Sequence, residues 1–360
     1  MTAAGAVAVA FGPGLAAGAT WANDTVADAQ AGCVGVLDGR AETDSFLDAN
    51  AARYRAAITR ARGWLDRLEV DHVRIRAAGL KGKKKHVEYL DSYRRLLAIA
   101  EPADRPAIME RINRIAAEMS TAAWHNLAAV NDTEFKQDAT SYLRAALLLD
   151  RLGLDTTGYR EEIRKVKPRL DGHMTIRGPH QRMIFHWYYR HFGLEEPFDL
   201  AAGFGDGVIA GRLDPYRYND DDVYGLTHEV FAPYEYGEKL TSDFFGPAER
   251  AYLRRTLDVL ATRYRLEDNA DLLAELLSCI RYLGFTDLAI YREGIEYLLS
   301  SQHADGKWGE YEKYRKRRGE LVDQGWYLHT TSVAIDALTV AFHWREGREA
   351  EAGAPSEEAE

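Results

Sequence analysis

Apolar residues recur at helical spacing along most of the chain. Between Ser45 and Leu68 they fall at Phe46, Ala52, Tyr54, Ala57, Ile58, Ala61, Trp64, Leu65 and Leu68, the signature of one buried helix face. The same period predicts helices over roughly 87–100, 104–130 and 134–153. Pro102 and Pro106 punctuate the first boundary, and Asn131-Asp132-Thr133 supplies a cap for the third helix. No segment alternates as a half-buried strand would. The predicted fold class is therefore all-α.

An internal repeat refines this. The apolar run from Asp138 to Leu154 carries Leu152-Gly153 near its end and is followed by Tyr159-Arg-Glu-Glu-Ile163. The run from Asp268 to Phe285 carries Leu283-Gly284 and is followed by Tyr291-Arg-Glu-Gly-Ile295. Each reads as a long helix, a glycine stop, a short loop and a second helix. Gly153 and Gly284 are expected at helix ends with positive φ, where a Cβ is disfavoured. One such hairpin cannot bury both of its faces, so several must pack side by side. If the array closes, the expected architecture is an α/α toroid around a central cavity. It would span residues 43–345, with a loop-rich insert at 171–244. The Ala/Gly-rich residues 1–42 and the Glu/Ala-rich residues 346–360 read as disordered ends.

The segment Ser301-Gln302-His303-Ala304-Asp305-Gly306-Lys307-Trp308 separates two apolar helices. Gln302, Gly306 and Trp308 stand in the order Gln, Gly, Trp. In this the C-terminal part of the chain resembles the α/α-toroid superfamily, whose terpene cyclases and protein prenyltransferase β-subunits carry such a repeat motif. The resemblance implies the toroid and a terpenoid or other natural-product-like substrate. It does not bring the cyclases' catalytic acid: where they have Asp-x-Asp-Asp, this chain has Asn219-Asp220-Asp221-Asp222, which reads as a solvated acidic loop. Nor does it bring the prenyltransferase zinc site, because Cys279 has no partner nearby in sequence and is assigned to the core.

Acidic residues outnumber basic ones 56 to 46, a net charge of −10, which argues against nucleic acid as a partner. Cys33 and Cys279 are too far apart and too few for a disulfide framework. No stretch of about 18 apolar residues is present, so no membrane span is expected. Met1 to Ala22 is small and apolar, but no Lys or Arg precedes Arg40 and Gly12-Pro13-Gly14 interrupts the run. A non-targeting arm and a cytoplasmic location are favoured over secretion through an atypical signal. The basic run Lys81 to Lys85 reads as a solvated loop.

Candidate chemistry concentrates in four places. His228 and Glu229 are adjacent, so on a helix they point about 100° apart and cannot form a two-residue metal face. His329 opens an apolar helix, near Asp323 and Trp326. Brought together by ring closure, His228 and His329 would form an acid/base pair or hold one divalent metal ion, with Glu229 and Asp323 as further catalytic candidates. As neutral imidazole is required, activity is expected to fall below pH ~6. Arg177, His180, Arg182 and His186 are candidate substrate-binding residues, the arginines for an anionic group. Trp187, Tyr188, Tyr224, Tyr234 and Trp326 would wall the site. The function expected is an enzyme acting on a small or medium organic molecule. One alternative is a carbohydrate-active hydrolase or lyase using two carboxylates from Glu229, Glu235 and Asp323. The other is a non-catalytic helical scaffold that binds a partner. No phosphate-binding glycine loop, nucleophile elbow or His-Glu-x-x-His motif occurs.

Overall fold

The computed structural model describes residues 25–197, 200–239 and 241–352. Among them are fourteen α-helices and no strand. The first seven are α1 (Thr25–Arg67), α2 (His72–Ala77), α3 (Gly82–Ala98), α4 (Arg105–Glu118), α5 (Asp132–Arg151), α6 (Thr157–Met174) and α7 (Pro179–Phe192). The others are α8 (Leu200–Gly205), α9 (Asp220–Phe231), α10 (Pro247–Leu266), α11 (Ala270–Tyr282), α12 (Ala289–Ser301), α13 (Glu312–Arg318) and α14 (Leu328–Ala352). The chain is all-α, as its periodicity predicts.

Six helices contact one another in a circuit. α3 packs on α5, α5 on α7, α7 on α9, α9 on α11 and α11 on α14, and α14 returns to α3. Five members are backed by further helices: α4 lies on α3, α6 on α5, α8 on α7, α10 and α12 on α11, and α1 on α14. A helix enclosed on all sides must be apolar nearly all round. In α11 every residue from Ala270 to Tyr282 is buried; of its four polar residues, Asp271, Glu275 and Ser278 share one face and Arg281 lies near its end.

Glycine stops end the helices where the repeat places them. Gly153 and Gly284 have φ of 71° and 72°. At the first, Gly153 N–H donates to Asp150 O and Leu154 N–H to Leu149 O; at the second, Gly284 donates to Arg281 O and Phe285 to Ile280 O. This paired closure satisfies carbonyls that the helix leaves without partners. Gly79-Leu80 and Gly193-Leu194 end α2 and α7 with the same two bonds, so the device recurs beyond the two hairpins legible as a repeat.

The Gln302, Gly306 and Trp308 turn pins α12 to α1. Gln302 Nε2 donates to Ala57 O and Gly306 O, and Arg60 Nε donates to Gln302 Oε1 at 2.9 Å. Gly306 has φ 108°, and a Cβ there would lie 2.1 Å from Arg60 O. Trp308 is fully buried, its indole N–H donating to Leu298 O at 2.7 Å.

Several boundaries differ from expectation. Residues 25–42, read as part of a disordered arm, belong to α1, while residues 1–24 lie outside the described ones. The helix expected over 104–130 stops at Glu118. The insert at 171–244 carries α7, α8 and α9. Asn219 to Asp222 is a capping box rather than a loop: Asn219 accepts from Asp222 N–H and Asp222 accepts from Asn219 N–H. Its three aspartates therefore sit where the helix dipole favours negative charge. The tail expected from residue 346 continues α14 to Ala352, and residues 353–360 lie outside the description. The Lys81 to Lys85 run is not a solvated loop. Lys83 is buried in α3, donating to Trp124 O and Asn126 Oδ1 and lying 3.4 Å from Asp138.

Candidate functional site

A cavity of about 460 Å³ is lined from all six helices of the circuit. α3 contributes Glu88 and Lys84, α5 Thr140, Ser141 and Arg144, and α7 His180 and Tyr188. α9 contributes Tyr224 and His228, α11 Glu275, and α14 His329. Tyr236 enters from a turn in which Glu235 and Tyr236 take positive φ of 49° and 56°. This backbone is unfavourable for side chains with a Cβ. Its reward is a half-buried ring against Arg144, whose guanidinium stands 5.1 Å from the ring centre.

Glu275 is the centre of the polar network. Thr227 Oγ1 donates to Glu275 Oε2 at 2.5 Å. His228 Nδ1 lies 3.8 Å from Oε2, and His329 Nε2 lies 3.9 Å from Oε1. Burial pushes the Glu275 carboxyl up to about 7, with the neighbouring Asp271 adding to the shift and His329 opposing it. Glu88 behaves in the opposite way. Burial pushes it up, but Lys85, His329 and Lys84 outweigh that and hold it well below the usual carboxylate range. His329 Nδ1 is 3.0 Å from Glu88 Oε1, so this imidazole lies between the two carboxylates.

His228 Nδ1 is 2.8 Å from the carbonyl oxygen of Tyr224. A carbonyl only accepts, so Nδ1 carries the proton and Nε2 the lone pair. Burial, then the neighbouring His180 and Lys84, push His228 down to about 3. It is therefore neutral at every physiological pH, and the expected loss of activity below pH ~6 does not come from this ring. His180 meets His228 edge-on, with ring centres 5.9 Å apart, and burial lowers its pKa too. The Tyr224 hydroxyl donates to Asp271, which also accepts from Thr330 Oγ1 at 2.8 Å.

The structure thus brings together His228, His329, Arg177, His180, Tyr188 and Tyr224 from the expected residues. It sends the others elsewhere. Glu229 turns away from His228 and accepts from the N–H groups of Val208 and Ile209, both at 3.0 Å, clamping a loop. Asp323 is paired with Arg315 at 2.7 Å. Trp326 stacks on Tyr314, and the fully buried Tyr234 stacks on Tyr282. Arg182 is paired with Asp206 at 3.0 Å. Trp187 and His186 line a neighbouring cavity of about 550 Å³ between α7 and the segment after α9. There His186 is engaged by Glu196 and His191 by Asp150, and Trp187 stacks on the backs of Tyr188 and Tyr236.

Among the described residues no group of three His, Cys, Asp or Glu side chains is placed to hold a metal ion. His228 already donates its Nδ1 proton to backbone, and both nitrogens of His329 face carboxylates. For the divalent ion expected between these histidines, this leaves His228 Nε2 as the imidazole nitrogen open to a metal. Sequence reasoning missed Glu275, Glu88, Arg144 and Tyr236. For Glu275 a signal existed: Asp271, Glu275 and Ser278 follow i, i+4, i+7 in a helix whose other positions before Arg281 are apolar.

Fold and cavity together define an all-helical protein with a charged chamber enclosed by six helices. Residues 52–335 match the family described as "Domain of unknown function (DUF6895)", and the chain belongs to that family. The matched span holds every residue lining the chamber. No curated protein and no solved structure matches the chain. Among the described residues no helix is long and apolar enough to cross a membrane.

Proposed function

We propose that the circuit of six helices is the inner layer of an α/α toroid and that its chamber is the active site of an enzyme. The substrate is a small or medium organic molecule, and the chemistry is proton transfer. The observation that carries this reading is Glu275, a buried carboxyl pushed up to about 7 and flanked by two imidazoles in a cavity. A group with that pKa can both give and take a proton near neutral pH. Thr227 occupies Oε2, leaving Oε1 beside His329 as the oxygen that exchanges the proton. Neutral His228 offers its Nε2 lone pair to a substrate hydroxyl or amine, and Glu88 orients His329 from its other side. The glycine stops and the Gln302, Gly306 and Trp308 turn support the toroid. The charged lining disfavours a terpenoid hydrocarbon as substrate.

The test is incubation of the purified chain with a small-molecule extract, followed by mass spectrometry. A compound consumed by the wild type and spared by Glu275→Gln supports the reading; kcat should fall about a hundredfold or more. Consumption of nothing, or equal consumption by both, overturns it. One observation favours a second reading, a hydrolase or lyase with paired carboxylates. Glu88 and Glu275 are pushed in opposite directions, one ionised and one protonatable. In that case Glu88→Gln would abolish turnover as fully as Glu275→Gln.

A further inference from the structure

The rim of the same chamber carries charge that proton transfer does not use. Lys81 precedes α3, Lys84 lies in its first turn, Lys136 comes from α5 and Arg177 from the connection between α6 and α7. Arg177 is only 7% exposed, and among the described residues no carboxylate pairs with it. Its Nη atoms donate to Gln181 Oε1 at 3.1 Å, Thr140 Oγ1 at 3.3 Å and Lys136 O at 2.8 Å. Its Nε is buried with no hydrogen-bond partner. A buried guanidinium with a spare donor and no counter-ion is unusual unless something else supplies the charge.

The neighbours sharpen the point. Among the described residues neither Lys81 nor Lys136 has an ion-pair partner. Partial desolvation, then the like charges of Lys84 and Arg177, lower the Lys81 pKa, with Glu88 opposing. Of the rim cations, the chamber's carboxylates pair only with Lys84 among the described residues. Glu88 is taken by Lys84 at 3.3 Å, Lys85 at 2.9 Å and His329 at 3.0 Å, and Glu275 is largely protonated below about 7. All this occurs in a chain of net charge −10.

We infer that the ligand of this chamber carries an oxyanion, a carboxylate or a phosphate, and that Arg177 with Lys81, Lys84 and Lys136 binds it at the rim. An oxyanion beside the Arg177 guanidinium and the rim lysines supplies the missing counter-charge. That this ligand is also the substrate rests on the enzymatic reading above; that the rim binds an oxyanion does not.

Calorimetric titration of the full chain with inorganic phosphate, and separately with acetate, tests the inference, with sodium chloride at equal ionic strength as control. Saturable binding of at least one oxyanion is expected, and the one preferred tells phosphate from carboxylate. Arg177→Gln should weaken it about tenfold or more, the loss of one charge-assisted hydrogen bond. Because Arg177 is buried, the double variant Lys81→Gln/Lys136→Gln, at exposed positions, provides a second comparison and should also weaken binding. Glu275→Gln should bind the anion as the wild type does, so loss of turnover and loss of the anion site are read separately. No saturable binding, equal binding of chloride, or unchanged affinity in both Arg177→Gln and the double-lysine variant would overturn the inference.

Discussion

The hairpins α5–α6 and α11–α12 are built alike and equipped oppositely. Each first helix ends in Leu-Gly with the same paired closure of its carbonyls, and each second helix opens around Tyr-Arg-Glu. Nine residues before the glycine, α5 has Arg144 and α11 has Glu275; thirteen before it, α5 has Thr140 and α11 has Asp271. Arg144 and Glu275 both face the chamber. The two helices stand three places apart in a circuit of six. The frame is thus repeated while its cargo is not, and repetition reports on architecture rather than chemistry.

Exchanging the charge at the paired positions should break the symmetry in opposite directions. Arg144 is 2.6 Å from buried Asp91, which keeps its Arg94 ion pair when Arg144 is lost. Arg144→Gln should destabilise the chain by about 2 kcal/mol in denaturant unfolding. Glu275→Gln should raise stability at pH 8, because an ionised carboxylate no longer has to be held in the core. Destabilisation by both would show that Glu275 is not the strained member of the pair.

The pH dependence of that difference follows from the shift. Unfolded Glu275 loses its proton near 4.5, whereas the folded carboxyl keeps it up to about 7. Between those values the folded state binds more protons, so the contribution of Glu275 to stability falls as pH rises. The advantage of Glu275→Gln over the wild type should therefore be absent below about pH 4.5 and grow to about 3 kcal/mol by pH 7. His228 runs the other way, since it is neutral in the fold down to about 3 from an ordinary 6.5; both chains should lose stability as acid is added below 6.5. A flat difference between the two chains would disprove the buried titration.

The shared frame predicts equal, smaller effects. Gly153→Ala and Gly284→Ala should each destabilise by about 1 kcal/mol, since both glycines have positive φ and a methyl group would meet nothing within 4 Å at Gly153 and only Arg40 Nη2, at 4.0 Å, at Gly284. Unequal values in thermal unfolding would mean that the two stops do different jobs.

The frame was legible for a local reason. Helical period, glycine stops and the Gln302 turn are written within a few residues of one another. His228 and His329 were also found, as polar residues against apolar runs. Their partner Glu275 was not, because its meaning depends on α3, α9 and α14 arriving around it. Glu229 misled for the converse reason. Sequence puts it next to His228, but the helix turns it toward the amides of Val208 and Ile209. Lys83 looked solvated among its neighbouring lysines because Asp138, Trp124 and Asn126, which bury it, are far away in sequence.

The contacts along α1 bear on how the molecule is made. Arg40 reaches Gly284 O, Thr43 reaches Thr286 O, Arg53 pairs with Glu296, Arg60 holds Gln302 and Arg67 reaches Asp305 O. Besides the nearer Tyr89, Tyr93 and Asp104, this helix is thus seated by partners about 240 residues further along the chain. At about 5–20 residues per second, it waits on the order of ten seconds or longer for them. Until then its stripe of Tyr54, Ala57, Ala61 and Trp64, buried in the finished molecule, lacks the cover of α12 and α14. The wait is a window for chaperones, and nascent chains stalled before α12 should leave Tyr54 and Trp64 open to protease while full-length chains protect them.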